Sequence, residues 1–210
     1  MKESLPKSSS IRSLLTLSIV LVFALSILLP PGTCFEPEIT EYVIPHVSDP
    51  IRLAIDTRGV LWFTEYFEDT ICSFSPESGE FVQYPLPDGC SGPGAITVDP
   101  QGRVWYTACF SGHVVMFDPK KNKATVYQTS IFATGIAYSP RTGVWYADAA
   151  TGVLGNIDPK TGVVTEHPVP DSLGLWEVEV DLKGWPWFTD PFTDRIGVFN
   201  PSTKEFTLYD

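Results

Sequence analysis

Acidic residues recur at one fixed position in a series of similar segments, each centred on a tryptophan. Three residues after each central tryptophan, the chain carries Glu65, Ala108, Asp148 and Asp190. Carboxylate oxygens are the ligands that hard cations such as Mg²⁺ and Ca²⁺ prefer, so three acids that converge would form a cation site. The alternative role is structural, because repeated units also keep such residues to cap strand ends and to hydrogen-bond neighbouring units.

Aromatic residues near the same positions suggest contact with an apolar or cyclic ligand. The group comprises Tyr66, Phe67, Phe110, Trp176 and Phe192. Aromatic faces stack on ligand rings, but large side chains also dominate the packing between structural units, so both roles are open. Trp176 is followed by Glu177, which adds a charged group beside an aromatic one.

The four cysteines form no recognisable metal motif. They are Cys34, Cys72, Cys90 and Cys109, and their spacings match no zinc pattern. Disulfide connectivity does not follow from sequence alone. Cys90 and Cys109 fall in loops expected at the same end of the repeated units, so we favour a disulfide between them, with free thiols as the alternative.

Composition and charge exclude several classes of protein. The formal net charge is -11, and nucleic acid is therefore not an expected partner, because phosphate binding needs a basic face. The chain has 19 Pro and 16 Gly, a density that interrupts helices and excludes a helical bundle. It carries neither the Gly-x-Ser-x-Gly nucleophile motif nor a phosphate-binding loop.

The tryptophan segments define an internal repeat. Trp62, Trp105, Trp145 and Trp187 are 43, 40 and 42 residues apart, and propeller blades have a period of about 40–50 residues. Each unit contains four short runs of β-branched and aromatic residues, which favour strands. The sequence therefore predicts an all-β chain, a β-propeller of four-stranded blades at approximately 50–87, 91–129, 131–170 and 173–210.

One further strand is predicted ahead of the first unit. Residues 39–45 resemble the fourth strand of a unit, but no first three strands precede them. The last unit already has its own fourth strand, so this early strand is surplus. We therefore expect about four blades plus one extra strand, an arc cut from a larger ring. Such an arc would be completed by self-association with a second chain, unless the four units close alone.

The first 34 residues predict export. Lys2, Lys7 and Arg12 precede an uncharged run at 13–29, and Pro30, Pro31 and Gly32 end it. A basic flank, an apolar helix and a break are typical of a signal peptide, while the run is also near the lower limit for spanning a bilayer. We expect either a cleaved signal or an uncleaved N-terminal membrane anchor, with residues 35–210 outside the cytoplasm.

The repeated motifs resemble those of a known family. Trp62-Phe63-Thr64-Glu65, the Ile-Gly of a third strand and Phe206-Thr207 of a fourth strand are similar to the streptogramin B lyases (virginiamycin B lyases), within the wider gluconolactonase and NHL type of propeller. The resemblance implies a seven-bladed ring and an Mg²⁺-assisted elimination that linearises a cyclic depsipeptide at its ester. It also implies histidines at the start of first strands, in a Pro-His-Gly-Ile pattern.

The chain departs from the family at those histidine positions. The matching residues are Ile51, Gly94, Thr134 and Trp176, whereas its own histidines, His46, His113 and His167, lie elsewhere in the repeat. We therefore predict an extracytoplasmic propeller that binds a small-molecule or peptide ligand, or a partner, with Trp176 and Glu177 as candidate contacts. The alternative is a lyase or lactone hydrolase acting on a cyclic ester, with Mg²⁺ or Ca²⁺ held by Glu65, Asp148 and Asp190.

Overall fold

The computed structural model describes residues 39–46 and 49–210. The predicted signal peptide or anchor at 1–34 lies outside the described residues. The chain divides into a unit at 1–41 and a unit at 42–210, and the described part of the first unit, 39–41, forms neither helix nor strand. Across the part that the structure describes, no helix is long and apolar enough to cross a membrane.

The second unit contains four sheets, each made of four consecutive antiparallel strands. Blade 1 comprises β1 (Pro50–Ile55), β2 (Leu61–Glu65), β3 (Thr70–Ser75) and β4 (Glu80–Pro85). Blade 2 comprises β5 (Pro93–Val98), β6 (Val104–Ala108), β7 (His113–Asp118) and β8 (Lys123–Gln128), with a short 3₁₀ helix at Cys109–Ser111. Blade 3 comprises β9 (Ala133–Ser139), β10 (Gly143–Asp148), β11 (Val153–Ile157) and β12 (Val164–Pro168). Blade 4 comprises β13 (Val178–Val180), β14 (Pro186–Asp190), β15 (Arg195–Asn200) and β16 (Glu205–Tyr209).

This arrangement confirms the predicted all-β propeller architecture. The first strands of successive blades, β1, β5, β9 and β13, lie next to one another in that order. Each blade therefore packs face to face on the next, with its first strand on the inner side, as in a propeller.

In three of the four blades, an acid that directly follows the first strand shapes the turn into the second strand. In blade 2, Asp99 Oδ1 accepts from the amides of Gln101 and Arg103 at 3.0 Å each, while Oδ2 accepts from Trp105 Nε1 at 3.0 Å. Gly102 completes the turn with φ of +79°, a conformation that glycine adopts without strain. The turn thus fixes the position of the tryptophan that follows it.

The same turn recurs in the other blades. Asp56 and Asp181 accept from the turn amides of blades 1 and 4 in the same way. Asp181 also accepts from Trp187 Nε1 at 3.3 Å, whereas Trp62 Nε1 of blade 1 is buried without a hydrogen-bond partner among the described residues. In blade 3 a hydroxyl replaces the carboxylate: Ser139 Oγ caps the turn, and Thr142 Oγ1 accepts from Trp145 Nε1 at 2.9 Å. The sequence repeat therefore corresponds to a repeated turn whose amides are capped by a side-chain oxygen.

The core lies between the blades. Trp62, Trp105 and Trp145 are 2%, 0% and 2% exposed, because each packs against the following blade. Trp187 occupies the equivalent position in blade 4 but is 37% exposed. It stacks only on Tyr209 of its own blade, with ring centroids 5.9 Å apart. The outer face of blade 4 is therefore open within the described residues.

Blade 1 is open on its opposite face. Leu53 and Ile55 of β1 are 64% and 61% exposed on the face that also carries Phe63 and Phe74. The leading segment, which we define as residues 42–46, covers part of this face. Tyr42 packs on Phe74 with ring centroids 4.6 Å apart, and Ile44 packs against the same cluster.

The leading segment differs from its predicted form. Residues 39–44 form no strand and bends follow at 45–46, whereas a strand was expected at 39–45. The outer edge next to β3 is already occupied by β4. The apolar side chains of this segment are instead buried by lying across the open face of blade 1.

The turn acids should contribute measurably to stability. Asp99→Ala removes two amide caps, the indole bond and the ion pair with Arg103. We expect the free energy of unfolding to fall by about 2–4 kcal/mol, because the buried donors lose their acceptor. Urea unfolding followed by tryptophan fluorescence would measure this. Asp118→Ala, in an exposed turn, is the control and should change stability little, and an equal loss in both variants would contradict the assigned role.

The two open faces generate a prediction about assembly. They carry the same apolar residue types that are buried between blades, so we expect a second copy to pack face to face on them. Sedimentation velocity of the chain should show a concentration-dependent dimer that Leu53→Glu weakens. Leu182→Glu is the matched control, since Leu182 is 97% exposed but lies in a turn. A monomer at every concentration would contradict the prediction.

Candidate functional site

The strand register brings the candidate residues to one end of the blades. Pro50 pairs with Glu65, Pro93 with Ala108 and Ala133 with Asp148. First strands therefore begin where second strands end. We call this the site end, and it carries the predicted acids and the loops that follow them.

Glu65 is a buried structural acid in blade 1. Its side chain is fully buried and accepts from Thr70 Oγ1 at 2.6 Å and from Gln83 Nε2 at 2.9 Å. His46 Nε2 lies 2.8 Å from Oε1, and Cys72 Sγ lies 3.1 Å from Oε2. These partners come from β3, β4 and the leading segment, so Glu65 joins three parts of blade 1.

Asp148 and Asp190 are also buried, each within its own blade. Asp148 Oδ1 accepts from the amides of Ala150 and Thr151, and Oδ2 accepts from the amide of Phe132 at 2.6 Å. Asp190 Oδ2 forms an ion pair with Arg195 at 3.0 Å. These bonds hold the loop after each second strand, which is the structural role considered as the alternative in the sequence.

The structure does not bring the three predicted cation ligands together. Among the described residues, Glu65, Asp148 and Asp190 do not form a group with ligand atoms within 4.8 Å of one another, and each carboxylate is bonded within its own blade. These residues do not fit Mg²⁺ or Ca²⁺, which need several oxygen ligands around one point. In the described part of the chain, a different trio, His46, Glu65 and Cys72, is the only group of three metal-ligating side chains with ligand atoms within 4.8 Å of one another.

The predicted disulfide is likewise absent. Cys90 and Cys109 are free and buried. Cys109 Sγ donates to the carbonyl of Ala133 at 2.9 Å, toward blade 3, whereas Cys90 belongs to the cluster between blades 1 and 2. The two thiols are thus buried against different neighbours. Burial raises the pKa of both, so they are protonated and unreactive at neutral pH.

The aromatic residues form a row along the site end. Tyr66 contacts Phe67 and Phe110 with ring centroids 5.2 and 4.9 Å apart, and Phe110 is 6.2 Å from Phe132. Phe67 and Phe110 are both exposed. Phe192 is exposed as well and lies against Gly174 in blade 4. Part of this aromatic row is therefore exposed to solvent as a flat apolar surface, and the rest is half-buried.

Trp176 and Glu177 lie where blade 4 meets blade 3. Thr134 Oγ1 donates to the carbonyl of Trp176 at 2.8 Å. Gly135 allows the close approach, because a Cβ there would lie 2.8 Å from the Cα of Glu177. The indole of Trp176 is 45% exposed although its backbone is held in place. It is therefore a pre-positioned contact surface.

Glu177 forms an ion pair with Arg52, a residue that was not among the sequence-predicted site residues. Arg52 Nη2, from the first strand of blade 1, lies 3.2 Å from Glu177 Oε1. The pair joins the first and last blades across the arc at the site end. One signal was available: Arg52 is the only charged residue in the otherwise apolar stretch 50–55.

Other residue types stand at the four positions where the resemblance to the streptogramin B lyases implies histidine. Ile51 and Trp176 are exposed, and Thr134 is engaged with the backbone of blade 4. Gly94 is packed against Cys109, since a Cβ there would lie 2.5 Å from Sγ. None of the four side chains is an acid or base that titrates near neutral pH. A general base at the site end would have to come from another position.

Four-stranded sheets packed around one set of inner strands define a β-propeller, and its site end carries exposed aromatic and charged side chains. Residues 33–210 match the virginiamycin B lyase family, so the chain belongs to that family. The comparison with curated proteins found no match.

Solved structures of similar fold include lyases of this kind. Virginiamycin B lyase from Staphylococcus aureus has a TM-score of 0.75 at 24% identity, covering 82% of this chain and 59% of the other. A catalytically inactive variant of that lyase with quinupristin has a TM-score of 0.76 at 24% identity, covering 84% and 61%. A nidogen/laminin complex has a TM-score of 0.66 at 17% identity, covering 77% and 64%. The chain thus spans about three fifths of the length of the lyase structures.

Proposed function

We propose that this chain is an extracytoplasmic propeller that binds a small-molecule or peptide ligand, or a protein partner, at its site end. The observation that carries the proposal is the exposed Trp176 beside the Arg52–Glu177 pair. The backbone of Trp176 and Glu177 is held against blade 3, and Arg52 belongs to the first strand of blade 1. Anchored groups lose little conformational freedom when a ligand binds.

The chemistry of these groups indicates an amphipathic ligand. The indole of Trp176 and the exposed rings of Phe110 and Phe192 favour an aromatic or other flat apolar group. Arg52 and Glu177 are each about half exposed, so their mutual attraction is weak and readily exchanged for contacts with a ligand. A cyclic peptide or a peptide segment with ring and amide groups fits this combination.

Membership of the virginiamycin B lyase family favours a second candidate function. On this view the chain is a carbon–oxygen lyase or a lactone hydrolase that opens a cyclic ester. Either reaction needs a base and an acid placed at the substrate, and Ile51, Gly94, Thr134 and Trp176 supply neither. Because Glu65, Asp148 and Asp190 do not form a set of Mg²⁺ ligands, we derive no catalytic step through that ion. Binding is the function that the geometry supports better.

The extracytoplasmic location is supported by sequence. The basic flank and apolar run at 1–34 are typical of an export signal or membrane anchor. A binding surface outside the cytoplasm would meet ligands in the medium or at the membrane surface.

Binding can be tested with quinupristin as the probe, since it is the compound held by a lyase of similar fold. Trp176→Ala should weaken binding about tenfold or more, because one aromatic contact is lost together with its buried area. Isothermal titration calorimetry would measure this. Trp187→Ala is the matched control, as Trp187 is also partly exposed but lies on the open face of blade 4. Equal effects of the two substitutions, or no binding at all, would contradict the site for this ligand class.

Catalysis is tested separately on the same compound. Quinupristin incubated with the full chain and Mg²⁺ should stay cyclic, because Ile51, Gly94, Thr134 and Trp176 supply neither the acid nor the base that ring opening needs. Mass spectrometry distinguishes the outcomes, since elimination leaves the mass unchanged but alters chromatographic retention, whereas hydrolysis adds one water. Turnover that Trp176→Ala abolishes would reject the binding-only assignment in favour of the enzyme.

A further inference from the structure

On the open face of blade 1, the leading segment covers a cluster of metal-ligating side chains, His46, Glu65 and Cys72. The ligand contacts proposed above do not involve this cluster. Glu65 of β2 and Cys72 of β3 point to the open face of the blade, on the side that carries Phe63 and Phe74. The leading segment crosses this face from Tyr42 to His46 and places the imidazole on the two groups. His46, Glu65 and Cys72 thus come from three separate elements.

The ligand atoms of the cluster lie within 4.8 Å of one another, close to the spacing that a small tetrahedral cation requires. His46 Nε2 lies 2.8 Å from Glu65 Oε1 and 3.9 Å from Cys72 Sγ, and Cys72 Sγ lies 3.1 Å from Glu65 Oε2. Bonds of about 2.0–2.3 Å to tetrahedral zinc place ligand atoms about 3.4–3.6 Å apart. Shifts of about half an ångström would therefore bring all three atoms onto one ion.

The donor set selects the class of metal. An imidazole nitrogen, a thiolate and one carboxylate suit zinc and similar transition-metal ions, whereas Mg²⁺ and Ca²⁺ prefer oxygen alone. Glu65 and Cys72 are fully buried, while the side chain of His46 is 28% exposed. The imidazole is thus the group through which an ion would enter.

Hydrogen bonds from neighbouring side chains hold the Glu65 carboxylate in a fixed orientation, as is usual for a metal ligand. Thr70 Oγ1 and Gln83 Nε2 both donate to its carboxylate. Hydrogen bonds of this kind fix the orientation of carboxylates that bind metals. Among the described cysteines, Cys72 alone has a histidine and a carboxylate within reach of its sulfur.

We propose that His46, Glu65 and Cys72 form a zinc-class metal site that fastens the leading segment to the open face of blade 1. The ion displaces the thiol proton of Cys72 to solvent and takes a lone pair from His46 Nε2 and from Glu65. Three protein ligands leave a fourth position for water. The site is independent of the ligand surface at the site end, so either proposal can fail without the other.

The test uses the full chain, solubilised in mild detergent, purified without a histidine tag and stripped with a chelator. Titration with Zn²⁺ should show one ion per chain and raise the unfolding temperature, since the ion binds the folded state. Co²⁺ at the same site should give a thiolate charge-transfer band in the near ultraviolet.

Variants separate the site from adventitious binding. Cys72→Ser should abolish the charge-transfer band, and His46→Gln should weaken Zn²⁺ binding at least tenfold. Thr70→Val should weaken it about 10–100-fold by freeing the carboxylate. Cys90→Ser and His113→Ala are the matched controls and should bind Zn²⁺ like the parent chain.

Folding of each variant is checked without metal by circular dichroism, and His46→Gln, at a half-buried position, keeps the test valid if Cys72→Ser unfolds. The proposal is overturned if the parent chain binds no Zn²⁺. It is equally overturned if the folded His46→Gln variant and a folded cysteine variant bind as tightly as the parent.

Discussion

The stacking of one blade on the next through a buried tryptophan is the constraint on which the structure depends. Each such side chain removes about 150–250 Å² from water, roughly 4–6 kcal/mol at the usual transfer coefficient. The bonds from the turn to the indole contribute only about 1 kcal/mol each. Packing therefore supplies most of the free energy, and Asp99 or Thr142 supplies direction by fixing where the indole points. A blade whose indole lacks a following blade, as at Trp187, leaves that surface exposed.

The same constraint explains why acids recur at the ends of the second strands. A second strand that delivers its tryptophan to the next blade ends at the site end, where the chain must reverse and its amides need acceptors. Asp148 meets this need by accepting from two amides of the loop after β10 and from the amide of Phe132 ahead of β9. Both oxygens of Asp148 are thus engaged by backbone amides. Arg52 in β1 and Trp176 just ahead of β13 are by contrast exposed at the site end.

The sequence predicted the fold correctly where a short local pattern is repeated along the chain. Four tryptophans at a near-constant period, each followed by strand-forming residues, were enough to predict the class of fold and its four-stranded blades. It failed where an outcome depends on a single long-range contact. Nothing local indicates that Arg52 meets Glu177, 125 residues away, or that Cys109 turns toward Ala133 rather than Cys90. The leading segment was predicted as a strand because its apolar pattern is that of one, whereas its burial is decided by an open blade face.

The open face of blade 1 needs both a cover for its apolar side chains and partners for its buried polar groups. In an inner blade of this chain, both faces of the sheet are covered by other blades, so any polar group there must be satisfied by the repeat itself. The open face of blade 1 has no such cover, and the leading segment takes its place with Tyr42 on Phe74 and His46 on Glu65. A short irregular segment buries far less apolar area than a blade does, so it gains more from a strong polar attachment. A histidine that meets a buried carboxylate and a buried thiol provides such an attachment at the end of the segment, next to the start of the first strand. The fold therefore places this grouping of imidazole, carboxylate and thiol on the face of blade 1 that no other blade of the described chain covers, while the site end carries exposed aromatic and charged side chains.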